Sequence, residues 1–309
     1  EKFSMSALGL FLSQEVNGVS KLHGEVSRDM FQKYYPGYLS EELHIGHVTN
    51  GVHYANWTSN SWRELHTNTF GENWRNNMSD TSVWEKIYDV SDKKVWEIRN
   101  YQRKKLVNYL KERVGNDMMN RQETPRMMRK VNNGLSEDKL TFGFARRFAT
   151  YKRAHLLFNN LERLSAIVNN QDKPVQFVFA GKAHPNDKMG QDVLKHIFEI
   201  SRRDEFAGKI LFVEDYDIRL GRKMVQGVDV WLNTPTRPLE ASGTSGQKAA
   251  MNGVLNCSVL DGWWAEGYVE GAGWALPQEK AFGNQQAQDE LDAETLYDIL
   301  EEEIIPAFY

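Results

Sequence analysis

Cysteine is nearly missing: the 309 residues contain one, Cys257. A disulfide framework is excluded, and a reducing compartment, the cytoplasm, is expected. No apolar run approaches the ~18 residues of a membrane span, so no membrane partner is expected. A signal-peptide pattern is also lacking. The chain opens Glu1-Lys2-Phe3 without an initiator Met and stops at Pro306-Ala307-Phe308-Tyr309. It reads as a piece of a longer protein. Neither sign of charge dominates: 38 Lys and Arg stand against 42 Asp and Glu, a formal charge of −4. That balance argues against bulk nucleic-acid binding and leaves room for a local basic pocket. Repeats and low-complexity tracts are absent. What remains is 40% hydrophobic and 26% charged, a globular composition long enough for one large domain or two ordinary ones.

Helix-like apolar spacing runs from Phe3 to Phe31, and Asn17-Gly18 predicts a turn joining two helices. Leu43 to Trp62 has no clean period and reads as an ordered loop. Val83 to Arg113 reads as helical, and Asn116 to Ser136 as irregular or a short helix. A compact unit begins near Asp138. Five apolar runs follow: Leu140 to Ala145, Val175 to Ala180, Ile210 to Val213, Val228 to Leu232 and Cys257 to Leu260. Helical stretches alternate with them, and Asp289 to Ile305 reads as a closing helix. The alternation predicts an α/β fold with a parallel, doubly wound sheet.

In such sheets ligands bind beyond the carboxyl ends of the strands. Arg146-Arg147 and Tyr151-Lys152-Arg153 follow the first run, and Gly181-Lys182 the second. Glu214-Asp215-Tyr216 follows the third, Asn233 to Glu240 the fourth and Asp261-Gly262 the fifth. The concentration of Arg, Lys and Gly points to an anionic ligand approached closely by backbone. The sharpest motif is Glu240-Ala241-Ser242-Gly243-Thr244-Ser245-Gly246-Gln247-Lys248. Its small residues leave backbone N–H groups free for an anion. The plainer reading is a turn capping a helix through Ser245 or Thr244. Neither GxxxxGK[ST] nor GxGxxG spacing is present. Lys248 lies beside Ala249, Ala250 and Met251, where a lysine either snorkels or serves as a functional amine.

Glu240 to Lys248, followed by Met251-Asn252-Gly253 and Leu260-Asp261-Gly262, resembles the pyridoxal-phosphate loop of the α-glucan (glycogen, starch, maltodextrin) phosphorylases. Asp261-Gly262-Trp263-Trp264-Ala265-Glu266-Gly267-Tyr268 resembles the shorter bacterial and archaeal branch. Other blocks occur in family order: Val16-Asn17-Gly18-Val19 with His23-Gly24-Glu25, Thr49-Asn50-Gly51-Val52 with Trp57, the Arg146 to Arg153 block, and Glu214-Asp215-Tyr216. The resemblance implies a GT-B fold, two Rossmann-like halves facing across a cleft. Residues 1–50 would end the amino-terminal half and 51–137 form a hinge and helical bridge. Residues 138–309 would form the cofactor- and phosphate-binding domain. Lys248 would hold pyridoxal phosphate as an imine, with Thr244, Ser245 and Arg146 on its phosphate and Trp57 and Tyr216 packed around it. Arg147 and Lys152 would hold the substrate phosphate. Asn50, Glu240, Ser242 and Gly243 would bind the glucosyl unit. The implied reaction is retaining phosphorolysis of α-1,4-glucan to glucose 1-phosphate. Its partners are a glucan or maltooligosaccharide, inorganic phosphate and the missing amino-terminal half, with a homo-oligomer left open. The 309 residues alone are expected to be inactive, since a half cleft cannot exclude water. The chain departs from common family forms at Gln14, Gly246 and Gln247.

Two rivals share these residues. One is a nucleotide-sugar glycosyltransferase on the same fold. Many of those enzymes carry a second acid eight positions after the Glu of this loop, where this chain has Lys248. The other is a non-catalytic carbohydrate-binding fragment. Arg146, Arg147, Lys152 and Arg153 taken singly could be a solvated face. His44 and His47 lack nearby Cys or Asp, so no metal is expected. Cys257 reads as a small core residue. Trp57, Trp62, Trp263, Trp264 and Trp274 could stack on sugars or pack.

Overall fold

The computed structural model describes residues 3–276 and 282–309. Two short strands, β1 (Val16–Gly18) and β2 (Ile45–His47), pair in parallel. Asn17-Gly18 therefore lies in a strand and not in the expected turn. Three residues are too few to show a period, so the pairing was hidden. Six more strands form one parallel sheet: β3 (Leu140–Ala145), β4 (Val175–Ala180), β5 (Ile210–Val213), β6 (Val230–Asn233), β7 (Leu255–Val259) and β8 (Gly273–Leu276). Their order is β5-β4-β3-β6-β7-β8, the doubly wound Rossmann order. The five apolar runs account for β3 to β7. β8 went unread because it is short, half-exposed and at the sheet edge.

Successive strand residues point to opposite faces, and both faces are covered. Phe142, Phe144, Phe177 and Phe179 pack with Leu157, Ile197, Tyr297 and Leu300 on one side. Val178, Leu211, Val213 and Trp231 pack with Leu106, Leu110, Leu220 and Met224 on the other. Cys257 is fully buried in β7, and burial pushes its thiol up to about 12. That is a core position and not a nucleophile's.

The Asp92–Asn120 helix exceeds the stretch its sequence advertised. Gly115 and Asn116 read as an end, but Val114 and Met118 continue a buried stripe begun by Ile98, Gln102, Leu106 and Leu110. The following stretch is also a helix, Pro125–Gly134, with Pro at its start and the Thr124 side chain accepting from the Met127 N–H. The segment expected to be a loop holds β2, the turn Tyr54–Trp57 and the start of the Asn60–Phe70 helix. The closing helix begins early, as Gln285–Asp298, and continues through a π-helical turn at Ile299–Ile304. Among the described residues no helix is long and apolar enough to cross a membrane.

A buried ion cluster joins the long helix to the sheet. Asp229, just before β6, accepts from Arg103 Nη1 at 2.7 Å and lies 3.5 Å from Arg99 Nη2. Its other oxygen accepts the Thr141 N–H at 2.9 Å. Arg99 also donates to the carbonyls of Gln226, Val228 and Asn252.

Candidate active site

β3 and β6 are neighbours, yet their chains continue to opposite sides of the sheet. A crevice opens where they diverge. β3 leads into Arg146, and β6 leads through a loop to Glu240. Arg146 Nη2 donates to Glu240 Oε2 at 2.6 Å, and Lys152 Nζ donates to the same oxygen at 2.5 Å. All three side chains are only 7% exposed. Burial pushes the Lys152 amine down to about 8; Arg146 adds to this and Glu240 opposes it. Burial would push the Glu240 carboxyl up, but the two cations prevail and hold it below its usual range.

Two further residues set this geometry. Arg153, within the charged block, is buried and adopts a left-handed backbone conformation at φ 47°. It donates to the carbonyls of Thr234 and Pro235 and pairs with Asp289 and Asp292. The turn bearing Lys152 is thereby braced to the exit of β6. Asp261, after β7, accepts the N–H groups of Glu240 at 2.9 Å and Gly262 at 2.8 Å. Burial raises its carboxyl to about 6, and the charge of Glu240 pushes the same way.

Lys248 sits on the Ser245–Ala250 helix. Its Nζ lies 3.8 Å from the Trp57 ring centroid. Burial lowers its pKa, and among the described residues no carboxylate pairs with it. Asn252, four residues on and fully buried, donates to the Lys248 carbonyl at 2.8 Å and to the Trp57 carbonyl at 3.0 Å. Sequence reasoning gave Asn252 and Asp261 no role, although both lie in the quoted motifs. Gly246 carries no side chain because an added Cβ would fall 2.5 Å from Asn256 Oδ1. Gly243 takes φ +77°, close against Glu240.

The remaining candidates spread around this centre. Ser245 Oγ accepts from Trp231 Nε1 at 3.2 Å. Thr244 makes no side-chain capping bond, against the plainer turn reading. Tyr216 and Trp57 are half-buried against one core cluster. Asn50 is held by its backbone, its carbonyl accepting from Gln247 Nε2 at 2.7 Å and its N–H donating to the Val19 carbonyl. Arg147 is exposed and forms no ion pair among the described residues. Trp62 and Trp264 are buried packing residues.

Three links fasten the first segment to this loop and to Glu266, just beyond β7. Ser20 Oγ donates to the Ala241 carbonyl at 2.7 Å. Glu266 Oε1 accepts from the Lys21 N–H at 3.2 Å and from Thr49 Oγ1 at 2.8 Å.

The site has unmet polar capacity. Arg146 Nη1, Ser242 Oγ and Asn233 Oδ1 are buried without partners among the described residues. A buried orphan guanidinium nitrogen calls for an anion, and the two orphan oxygens suit hydroxyls. With the uncompensated amine of Lys248, this set fits a group carrying one aldehyde and one phosphate.

A family model described as carbohydrate phosphorylase matches residues 1–267. The chain is 43% identical over its whole length to a glycogen phosphorylase from Aquifex aeolicus, and spans 44% of that relative. It is 41% identical to a maltodextrin phosphorylase from Thermococcus litoralis, again over its whole length, and spans 37% of it. A glycogen phosphorylase from Mycobacterium bovis is 38% identical, with 35% of its length spanned. The chain thus covers less than half of the curated relatives it matches.

Proposed function

This chain belongs to the carbohydrate phosphorylase family, and on that premise we propose that the full-length protein cleaves α-1,4-glucan with inorganic phosphate. It releases glucose 1-phosphate with retention, in the cytoplasm, and holds pyridoxal phosphate at Lys248. The observation carrying this reading is the pairing of a buried cationic cradle, Arg146 and Lys152, with a half-buried amine that no acid among the described residues neutralises.

Each residue then has a physical task. A lowered pKa increases the neutral, nucleophilic fraction of Lys248. Trp57 holds the amine in place, and Asn252 fixes both backbones. Arg146 would hold the cofactor phosphate together with Thr244 and Ser245. Arg147 and Lys152 take the substrate phosphate. Two phosphates brought together need several fixed cations, and guanidinium groups suit their geometry. When bound, the cofactor supplies its phosphate group as the proton-transfer partner of the substrate phosphate. Asn50, Glu240, Ser242 and Gly243 receive the glucosyl unit and its developing positive charge.

The test is glucose 1-phosphate formation from a maltooligosaccharide and phosphate by the full-length protein. Lys152 loses its proton as pH rises, so a cation leaves the cradle above pH 8 or so. kcat/KM for phosphate therefore falls on that alkaline limb, and Lys152→Arg moves the limb upward because guanidinium stays charged. Absence of glucose 1-phosphate at every pH rejects the reading. The 309-residue chain, assayed alone, is expected to give little or no product, because half a cleft leaves the reacting groups wet. A rate equal to the full-length protein's contradicts that expectation.

A further inference from the structure

Glu240 occupies an unexpected place for a sugar-binding residue. One of its oxygens takes both cations of the cradle, and every partner is buried. Two cations in a water-poor crevice demand an anion, and a carboxylate presents the same acceptor chemistry as a phosphate. Among the described residues Arg146 Nη1 lacks a partner and stays open to the cofactor phosphate, while Lys152 is held by Glu240 and Arg147 is exposed and forms no ion pair. An incoming phosphate is attracted by Arg147 and Lys152, but it must displace a carboxylate to engage Lys152.

The backbone of Glu240 does not have to move for this. Its N–H is held by Asp261 Oδ2, and the chain beyond it turns at Gly243. The side chain can swing from that fixed pivot. The orphan atoms Ser242 Oγ and Asn233 Oδ1 belong to the same loop and strand end and offer hydroxyl partners there.

We infer that Glu240 is the resident counter-ion of the phosphate cradle: it holds Lys152 until inorganic phosphate takes that amine, and the exchange frees its carboxylate to accept glucosyl hydroxyls. This rests on the phosphorylase reading above. Phosphate and sugar then strengthen each other's binding, because each favours the same released position of one side chain, and the coupling is reciprocal.

The experiment is calorimetric titration of inorganic phosphate into the full-length, cofactor-loaded protein, without glucan. Glu240→Gln is expected to tighten phosphate on the order of tenfold, since the competing charge is gone. Unchanged or weaker binding overturns the inference. A second arm needs no variant: in the wild-type protein, saturating 1-deoxyglucose, which cannot be phosphorolysed, tightens phosphate several-fold. Equal phosphate affinity with and without that sugar also overturns it. If the wild-type protein binds phosphate but either arm fails, only the counter-ion role falls. If it binds no phosphate, the phosphorylase reading falls and takes this inference with it.

Discussion

Lys248→Ala in the full-length protein removes the cofactor's near-ultraviolet or visible absorption band and lowers phosphorolysis by roughly 10³-fold or more. The size follows from the environment of the amine. Its Nζ lies over Trp57 with no ion pair among the described residues, and burial has already lowered its pKa. Alanine keeps the helix, because it is the residue best suited to one. The Asn252 bond to the carbonyl of residue 248 also survives, since it uses the main chain. The loss is therefore chemical, and the melting temperature of the cofactor-free protein should change little. Lys248→Arg restores a cation over Trp57 but not a titratable amine, so it should be as inactive as alanine. A full-amplitude band in Lys248→Ala would place the cofactor elsewhere.

The second large effect lies at the other end of the sheet. Asp229→Ala is expected to destabilise the fold by about 3–5 kcal/mol, because one deletion strands two buried guanidinium groups. It also orphans the Thr141 N–H at the start of β3. Denaturant unfolding followed by circular dichroism measures this. A loss below about 1 kcal/mol would mean that water reaches the cluster and the packing of the long helix is looser than described. The damage should extend toward the active site, since Arg99 also donates to the carbonyl of Asn252, which positions Lys248 and Trp57.

Much of this architecture was legible in the residues. Strands β3 to β7 are dense apolar runs because both their faces are covered, and such runs stand out from their surroundings. Arg146, Lys152 and Glu240 could be singled out because each follows a strand, and Lys248 because it closes the motif that begins at Glu240. Their pairing could not. Glu240 is 94 residues from Arg146 and 88 from Lys152, and only the sheet order places them on one crevice. Arg153 looked like one more surface charge, since nothing local shows that a side chain will be buried and braced by Asp289 and Asp292. Asn252 and Asp261 act on main-chain atoms, and such partners leave no trace in side-chain pattern. β1 and β2 escaped notice because each is three residues long and gains its partner from a distant segment.

The fastenings of the first segment to the Glu240 loop and to Glu266 are selective about what may drift. Ser20 grips the carbonyl of Ala241, Glu266 grips the N–H of Lys21, and Gln247 grips the carbonyl of Asn50. In each pair one member contributes only main chain, so its side chain is exempt from the joint. Changing the side chain of Ala241 or Lys21 leaves these hydrogen bonds their atoms, whereas changing Ser20, Thr49, Gln247 or Glu266 removes one. Asn50 gains most from the exemption. Its place is secured entirely by its backbone, which leaves the amide unclaimed by the scaffold and available to whatever arrives in the cleft.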